Sequence, residues 1–409
     1  MVQLSFWGVG VQVNEGLATI GLIGCVVGVV WALGQAGRGP SWPEIGRGWW
    51  PILALVGWCL IAPILVGRWP TGAGLARTAD WLGIPIAAFA FRILGPRQRT
   101  IFGLACGGML LLSCGFAALQ HFGFWPEPAA FSRLGWTRIP FQRVYERAPG
   151  STDRFMVGGL FFHRLKFAHV EGLAVLVALS WSFHTVGWLR VFSASIAAIG
   201  FVSILTFPYA RAASVALVVT ALATALWLQW RRVGVRIAAA AMVVGLAVLL
   251  ASQRPLRDRF LSAATDTGSG NRRGMLAAGF AAIRAHPIVG VGLGRFRPSK
   301  FAPPNAPEEV LTHPGRSHNQ FVTVAAEAGI TALLLFCFVL AWLGSTIELR
   351  RPEGAAGASA LLFFVLLSLL HDPLYHGEFS MALILTLGAA VTYKEDPFLA
   401  AARIPMSRR

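Results

Sequence analysis

The sequence predicts an all-α polytopic membrane protein with eleven or twelve transmembrane helices and one large polar loop containing amphipathic helices. Of its 409 residues, 56% are hydrophobic and only 13% charged. A soluble domain cannot hide that much apolar surface. The mean hydropathy, +0.62, says the same. Eleven apolar runs can carry helices across a bilayer, where backbone polar groups must find partners inside the protein. Arginines gather at every second connection between the runs, as cytoplasmic loops require.

The runs are 16–34, 49–66, 81–94, 101–119, 167–189, 191–207, 212–230, 235–252, 321–344, 357–370 and 379–393. The third and tenth are short and need extension or shelter by neighbouring helices. Arg38 and Arg47 follow the first run, Arg97 and Arg99 the third, and Arg190 the fifth. Arg231, Arg232 and Arg236 follow the seventh, Arg350 and Arg351 the ninth, and Arg403, Arg408 and Arg409 end the chain. These positions define a cytoplasmic side. Eleven spans then leave the N-terminus outside. A short span or re-entrant piece at 4–13 makes twelve and puts both ends inside. No cleavable signal peptide is expected, because the first long apolar run is itself a span. The chain is one integral membrane domain, 1–409, with two long outer segments, 121–166 and 253–320.

Cys25, Cys59, Cys106, Cys114 and Cys337 all fall in apolar segments and form no CxxC or Cys/His cluster. Neither disulfides nor structural zinc are expected. The net charge is +17, almost all of it from arginine, since only Lys166, Lys300 and Lys394 are lysines. The charge is scattered among spans, which argues against nucleic acid as a partner. Both outer segments break the charge rule. Segment 253–320 carries ten basic residues against four acidic ones, and 121–166 carries seven against three. Positive charge hinders export of a loop, so its retention points to use. A guanidinium fork suits phosphate because it donates two hydrogen bonds at once. A loop solvated near anionic headgroups is the alternative.

Inside 253–320, Met275, Leu276, Phe280 and Ile283 recur at near-helical spacing. Asn271 is placed to cap this helix and Pro287 to stop it. Its amphipathic face suits a membrane surface. Gly290-Val291-Gly292-Leu293-Gly294 follows. With no Rossmann strand before it and no Walker lysine after it, it reads as a turn.

His318, in Ser317-His318-Asn319-Gln320-Phe321, stands where the polar loop meets an apolar helix. It has two readings: a cap or backbone partner for that helix, or a general base drawing a proton from an acceptor hydroxyl. Asn319 is placed to orient the imidazole or a sugar hydroxyl. Arg211 follows a helix break at Pro208-Tyr209 and faces the same side; the alternative is that it snorkels. Arg272 and Arg273 precede the amphipathic helix, whose positive end adds to their field. Arg164 and Lys166 are further candidate substrate contacts. Glu171 and Glu327 are intramembrane carboxylates and functional suspects by default. Glu327, nine residues beyond His318, is expected to lie too deep for the chemistry. His163, His371, Asp372 and His376 also lie near the outer face and make no recognisable metal set with His318. No DxD or HExxH occurs.

Several motifs in order resemble the bacterial O-antigen ligase family. His318-Asn319, nine residues, then Gly329 resembles its H-[NSQ]-x9-G signature, with Ala332 departing from the family pattern. Arg272, with Leu276 in place of tryptophan, and His286-Pro287-Ile288-Val289-Gly290-Val291-Gly292 resemble R-x3-W…HPxxGxG. Tyr209-Ala210-Arg211 resembles an S-R element with alanine for serine, and Gly159-Leu160-Phe161 a G-x-F element. The resemblance implies an enzyme of the bacterial inner membrane with a periplasmic active site, which makes the large outer loop periplasmic. It would move O-antigen glycan from undecaprenyl diphosphate to lipid A-core oligosaccharide without metal, nucleotide sugar or other cofactor. Membrane lipids are its surroundings. His318 becomes the base, and Arg211 and Arg272, with Arg273 beside it, the diphosphate ligands. An O-antigen polymerase or protein O-oligosaccharyltransferase of the same superfamily is the near alternative. A lipid-linked glycan transporter is the distant one, because few charges lie mid-span and no repeat is evident.

Overall fold

The structure is a computed structural model and describes residues 18–27, 42–125, 146–148, 154–161, 163–229, 233, 271–312 and 316–391. The apolar run 235–252, the segment 4–13 and the basic stretch 253–270 lie outside the described residues. So does most of 126–153. The other ten runs each carry helix where they are described. In chain order these are α1 (Ala18–Val27), α2 (Trp42–Leu65), α3 (Gly72–Asp80), α4 (Gly83–Ile93) and α5 (Pro96–His121). A two-residue hairpin follows, β1 (Glu146–Arg147) and β2 (Phe155–Met156), paired antiparallel. Next come α6 (Arg164–His184), α7 (Gly187–Thr206), α8 (Arg211–Gln229), α9 (Arg272–Ala285) and α10 (Glu308–Thr312). Finally α11 (Gln320–Thr346), α12 (Pro352–Leu370) and α13 (Gly377–Ala390) close the chain.

Seven of these, α2, α5, α6, α7, α8, α11 and α12, are long and apolar enough to cross a membrane. The protein is an all-α, multi-pass membrane protein. The short third run is extended on its N-terminal side by α3, with a break at Trp81-Leu82. The tenth grows to 19 residues, the length a span needs. The sheltering neighbours are real: α13 packs on both α4 and α12. At that crossing a methyl group on Gly388 would meet the Ile84 carbonyl at 2.7 Å, so the absent side chain lets the helices touch. α6 is the central post, packed against α7, α8, α12 and α13. Phe336, Phe363, Phe364 and Phe379 fill the space between α11, α12 and α13 with edge-on and stacked contacts.

The described part of the large loop folds onto α11. Its helix α9 starts at Arg272 and ends before Pro287, as its sequence predicts. Its buried face is Met275, Ala278, Gly279 and Ala282, whereas Phe280 is exposed. The expected Met-Leu-Phe-Ile stripe is therefore turned: small residues let α9 approach α11 closely. Asn271 sits at the N-cap position without a capping bond, and its amide donates to Glu309 instead, at 2.9 Å.

Candidate functional site

Asn319 is the residue that caps α11. Its Oδ1 accepts from the Val322 N–H at 3.1 Å and its Nδ2 donates to the Leu369 carbonyl at 3.1 Å. The cap reading for His318 is thereby corrected: that work belongs to its neighbour. His318 itself has φ +57, a left-handed conformation that non-glycine residues adopt at a cost. The conformation is over-determined on both sides. The Ser317 hydroxyl donates to the Asn319 carbonyl and accepts from the Asn319 N–H, at 2.8 and 3.2 Å. Thr323 shares a bond with that hydroxyl at 2.7 Å and donates to Asp372 Oδ1 at 2.6 Å. The Asp372 carboxylate also accepts from the His318 backbone N–H.

Tyr209, Asn271 and His318 are the only non-glycine residues with positive φ among the described residues. Tyr209 lies two residues before Arg211, Asn271 immediately precedes Arg272, and His318 is itself a predicted site residue. Strain collected at three helix starts, and nowhere else described, is a mark of a functional region.

Burial pushes the Asp372 carboxyl up to about 6, opposed by the Thr323 bond, the Arg316 charge and the His318 N–H. Arg272 acts on both Asp372 and His371. Arg272 is half-buried and Arg273 exposed, so the first of the pair faces this centre. Arg316 is a residue that motif reasoning missed. Its guanidinium lies over the Tyr375 ring at 4.8 Å, and Arg77 lies over the same ring at 3.7 Å. Tyr375 donates to Glu327 Oε1 at 2.7 Å, and Arg77 pairs with Oε2 at 3.3 Å. Glu327 is buried, and side chains from two other connections reach it. The signal for Arg316 lay in the charge excess of segment 253–320, which should be poor in arginine.

Behind His318 stands a row of imidazoles. The His318 and His371 rings are 5.3 Å apart, His371 and His169 5.2 Å, and His169 and His376 5.3 Å. His163, which caps α6, stacks on His376 at 6.5 Å. Burial first, then the neighbouring imidazoles and arginines, holds His371 and His376 well below the usual histidine range. Among the described residues no group of three His, Cys, Asp or Glu has metal-binding geometry.

Arg164 donates to the Pro208 carbonyl at 3.2 Å, in the turn that leads into Arg211. Lys166 pairs with Glu378 at 2.7 Å. Both predicted contacts therefore have internal partners. Arg211 begins α8 beyond that turn, whose Pro208 carbonyl holds Arg164, the sequence neighbour of His163. Glu171 is fully buried two residues past His169 on α6. The Gly159 element locks behind the same turn: Gln120 bonds both its N–H and its carbonyl at 3.0 Å.

The glycine-rich turn has a definite job. α11 is broken at Gly329, with φ +84 and ψ 171, a region open essentially to glycine alone. The freed backbone groups are all claimed. Ile330 N–H donates to the Pro287 carbonyl, Val291 N–H to Ala326, Gly292 N–H to Glu327 and the Trp58 indole to Ala328. A side chain on Gly329 would collide with the Ile288 carbonyl, and one on Gly290 with the Glu327 backbone. The His-Pro-x-x-Gly-x-Gly segment and the Gly of the His-Asn-x9-Gly segment are two sides of one clasp.

These features define a multi-pass membrane protein with a basic, histidine-bearing centre at one end of its bundle. Residues 194–337 match the family model described as O-antigen ligase, which supports the chain's membership of that family. No curated protein matches the chain. The matched stretch holds Arg211, Arg272, Arg316 and His318, whereas Arg77, the other histidines of the row, Asp372 and Tyr375 lie beyond it.

Proposed function

We propose that the protein is an O-antigen ligase: an inverting, metal-independent glycosyltransferase of the bacterial inner membrane, with its active centre on the periplasmic face. It moves O-antigen glycan from undecaprenyl diphosphate to lipid A-core oligosaccharide. The observation that carries this reading is the convergence of Arg272, Arg316 and the left-handed His318 on Asp372 and His371. His318 takes the proton from an acceptor hydroxyl. The oxygen attacks the anomeric carbon opposite the phosphate, the sugar–phosphate bond breaks, and its electron pair leaves with the undecaprenyl diphosphate. Negative charge grows on that leaving group, and Arg272, Arg316 and Arg211 stabilise it most in the transition state. Asp372 is a positioning residue, because it accepts from the His318 backbone N–H, and so is Asn319, because it caps the helix behind His318 and ties that end to the Leu369 carbonyl. Arg164 positions Arg211 in the same manner.

The test is one purified transfer assay with lipid-linked donor and three acceptors: lipid A-core, a second lipid-linked glycan, and a peptide. Product on lipid A-core is expected. Product on the second glycan makes it a polymerase, product on peptide a protein O-oligosaccharyltransferase, and no product anywhere ends the glycosyl-transfer reading. An unchanged anomer in the product would refute direct displacement.

A further inference from the structure

Beyond His318, the imidazole row continues into a buried cluster of unsatisfied polar atoms. His169, His376 and Glu378 are 0%, 5% and 6% exposed. Neither ring nitrogen of His169, nor Nε2 of His376, nor Oε2 of Glu378 has a hydrogen-bond partner among the described residues. Each such atom costs about 1–3 kcal/mol when buried, and native proteins keep few of them. They lie on α6 and at the start of α13, two helices that pack together, and Lys166, three residues before His169, links the two to each other through Glu378. His169 and His376 are 5.3 Å apart, Glu378 follows His376 by two residues, and its other oxygen holds Lys166 at 2.7 Å.

We propose that His169, His376, Glu378 and Lys166 form a sugar subsite that takes the hydroxyl groups of a single pyranose ring. This deepens the glycosyl-transfer reading and rests on it. A hydroxyl both donates and accepts, so it matches a mixed set of groups. A neutral imidazole offers one donor and one acceptor, the free carboxylate oxygen accepts, and the ammonium donates. Phosphate fits poorly, because the Glu378 carboxylate repels it. An apolar chain would leave every orphaned atom as it is. Metal geometry is absent among the described residues. The place suits a reacting sugar: His371 stands between His376 and His318, 5.9 and 5.3 Å from each. The subsite is closed in this conformation. The turn of 371–376, whose single 3-10 turn, Pro373–Tyr375, joins α12 to α13, borders it and would have to shift to admit a ring. All four residues lie beyond the matched stretch 194–337, so parts of the chain outside that domain set which ring is accepted.

The ring belongs either to the donor glycan or to the acceptor core, and the experiment separates these. Binding of lipid-free core oligosaccharide and of lipid-free donor glycan to the purified full chain is measured by calorimetry. It is repeated for His169→Phe, His376→Phe and the double variant. Phenylalanine keeps a ring in a place where His169 already packs on Phe379, at 5.8 Å. The expected result is about tenfold weaker binding of one glycan by the double variant, with the other unchanged. The thermal midpoint should hold or rise, because orphaned atoms have been removed. The glycan that loses affinity identifies the source of the ring. His376→Gln retains a donor and an acceptor and should bind within about threefold of the parent protein. Unchanged binding of both glycans by the variants, or no binding of either by the parent protein, overturns the subsite. A loss in His376→Gln as large as in His376→Phe does so too. The single variants carry the test if the double variant does not fold. Transfer is not read here, so failure of the glycosyl-transfer reading shows separately in the three-acceptor assay.

Discussion

The two halves of α11 share one apolar helix and are supported in different ways. Beyond Ile330, whose N–H still goes to Pro287, the helix runs on to Thr346 with side chains almost all apolar, and it supports itself. From Gln320 to Gly329 it depends on others. Asn319 caps it, Thr323 reaches Asp372, Glu327 holds Arg77 and Tyr375, and the broken turn borrows partners from 287–292 and Trp58. A membrane tolerates non-helical backbone only where protein supplies the missing bonds. The break therefore cannot exist without the loop, and the loop brings Arg272 with it. Self-sufficient helix serves for crossing, and dependent helix serves for placing chemistry.

Substitutions in the dependent half and its partners should separate chemistry from support. The largest effect is expected for His318→Ala, with transfer falling about a thousandfold. The protein should remain folded and inserted, because Asn319 holds the cap. Near-normal transfer by the purified variant would remove His318 from the chemistry. Next comes the neighbouring pair in α9. Arg272→Ala should lose about a hundredfold in kcat, as for a removed transition-state donor, while Arg273→Ala stays within about threefold. Equal losses would mean that the loop's total charge, not its placement, matters. Arg211→Lys keeps the charge and loses the fork, and about tenfold lower turnover is expected.

Gly329→Ala addresses support alone. Its backbone angles cost about 1–3 kcal/mol for any other residue, so a drop in thermal midpoint of about 2–5 °C is expected. An unchanged midpoint would mean that the clasp is not under tension. The smallest effect is in pH. Buried His371 and His376 stay neutral in the fold while their unfolded counterparts take up protons below about pH 6.5. The unfolded state then binds more protons, and stability falls on acidification. Asp372, held up at about 6, acts oppositely between about pH 6 and 4. Two histidines outweigh one carboxylate, so the melting temperature should fall from about pH 7 to about pH 5. His376→Phe should shrink that fall; an identical pH profile would count against the buried row.

What the sequence made legible divides along the same line. The apolar runs announced the self-sufficient helices, since composition alone decides what can cross a bilayer. His318, Arg211 and Arg272 were legible because each follows a break in an apolar pattern. The break at Gly329 was not: an alanine-rich stretch on either side of one glycine reads as continuous helix. Arg77 and Tyr375 were invisible for another reason. Their importance comes from meeting Glu327 across 250 and 48 residues of chain, and no local pattern encodes such a meeting.

The clasp between Gly290 and Gly329 also bears on how such proteins can be recombined. A chimera that exchanges the large loop between relatives, with its seam placed at the loop–helix junction near residue 320, would separate the two halves of an interlocked joint. The natural unit of exchange runs from Arg272 through the first three turns of the following helix. Specificity grafted in a smaller piece would arrive without the framework that aims it.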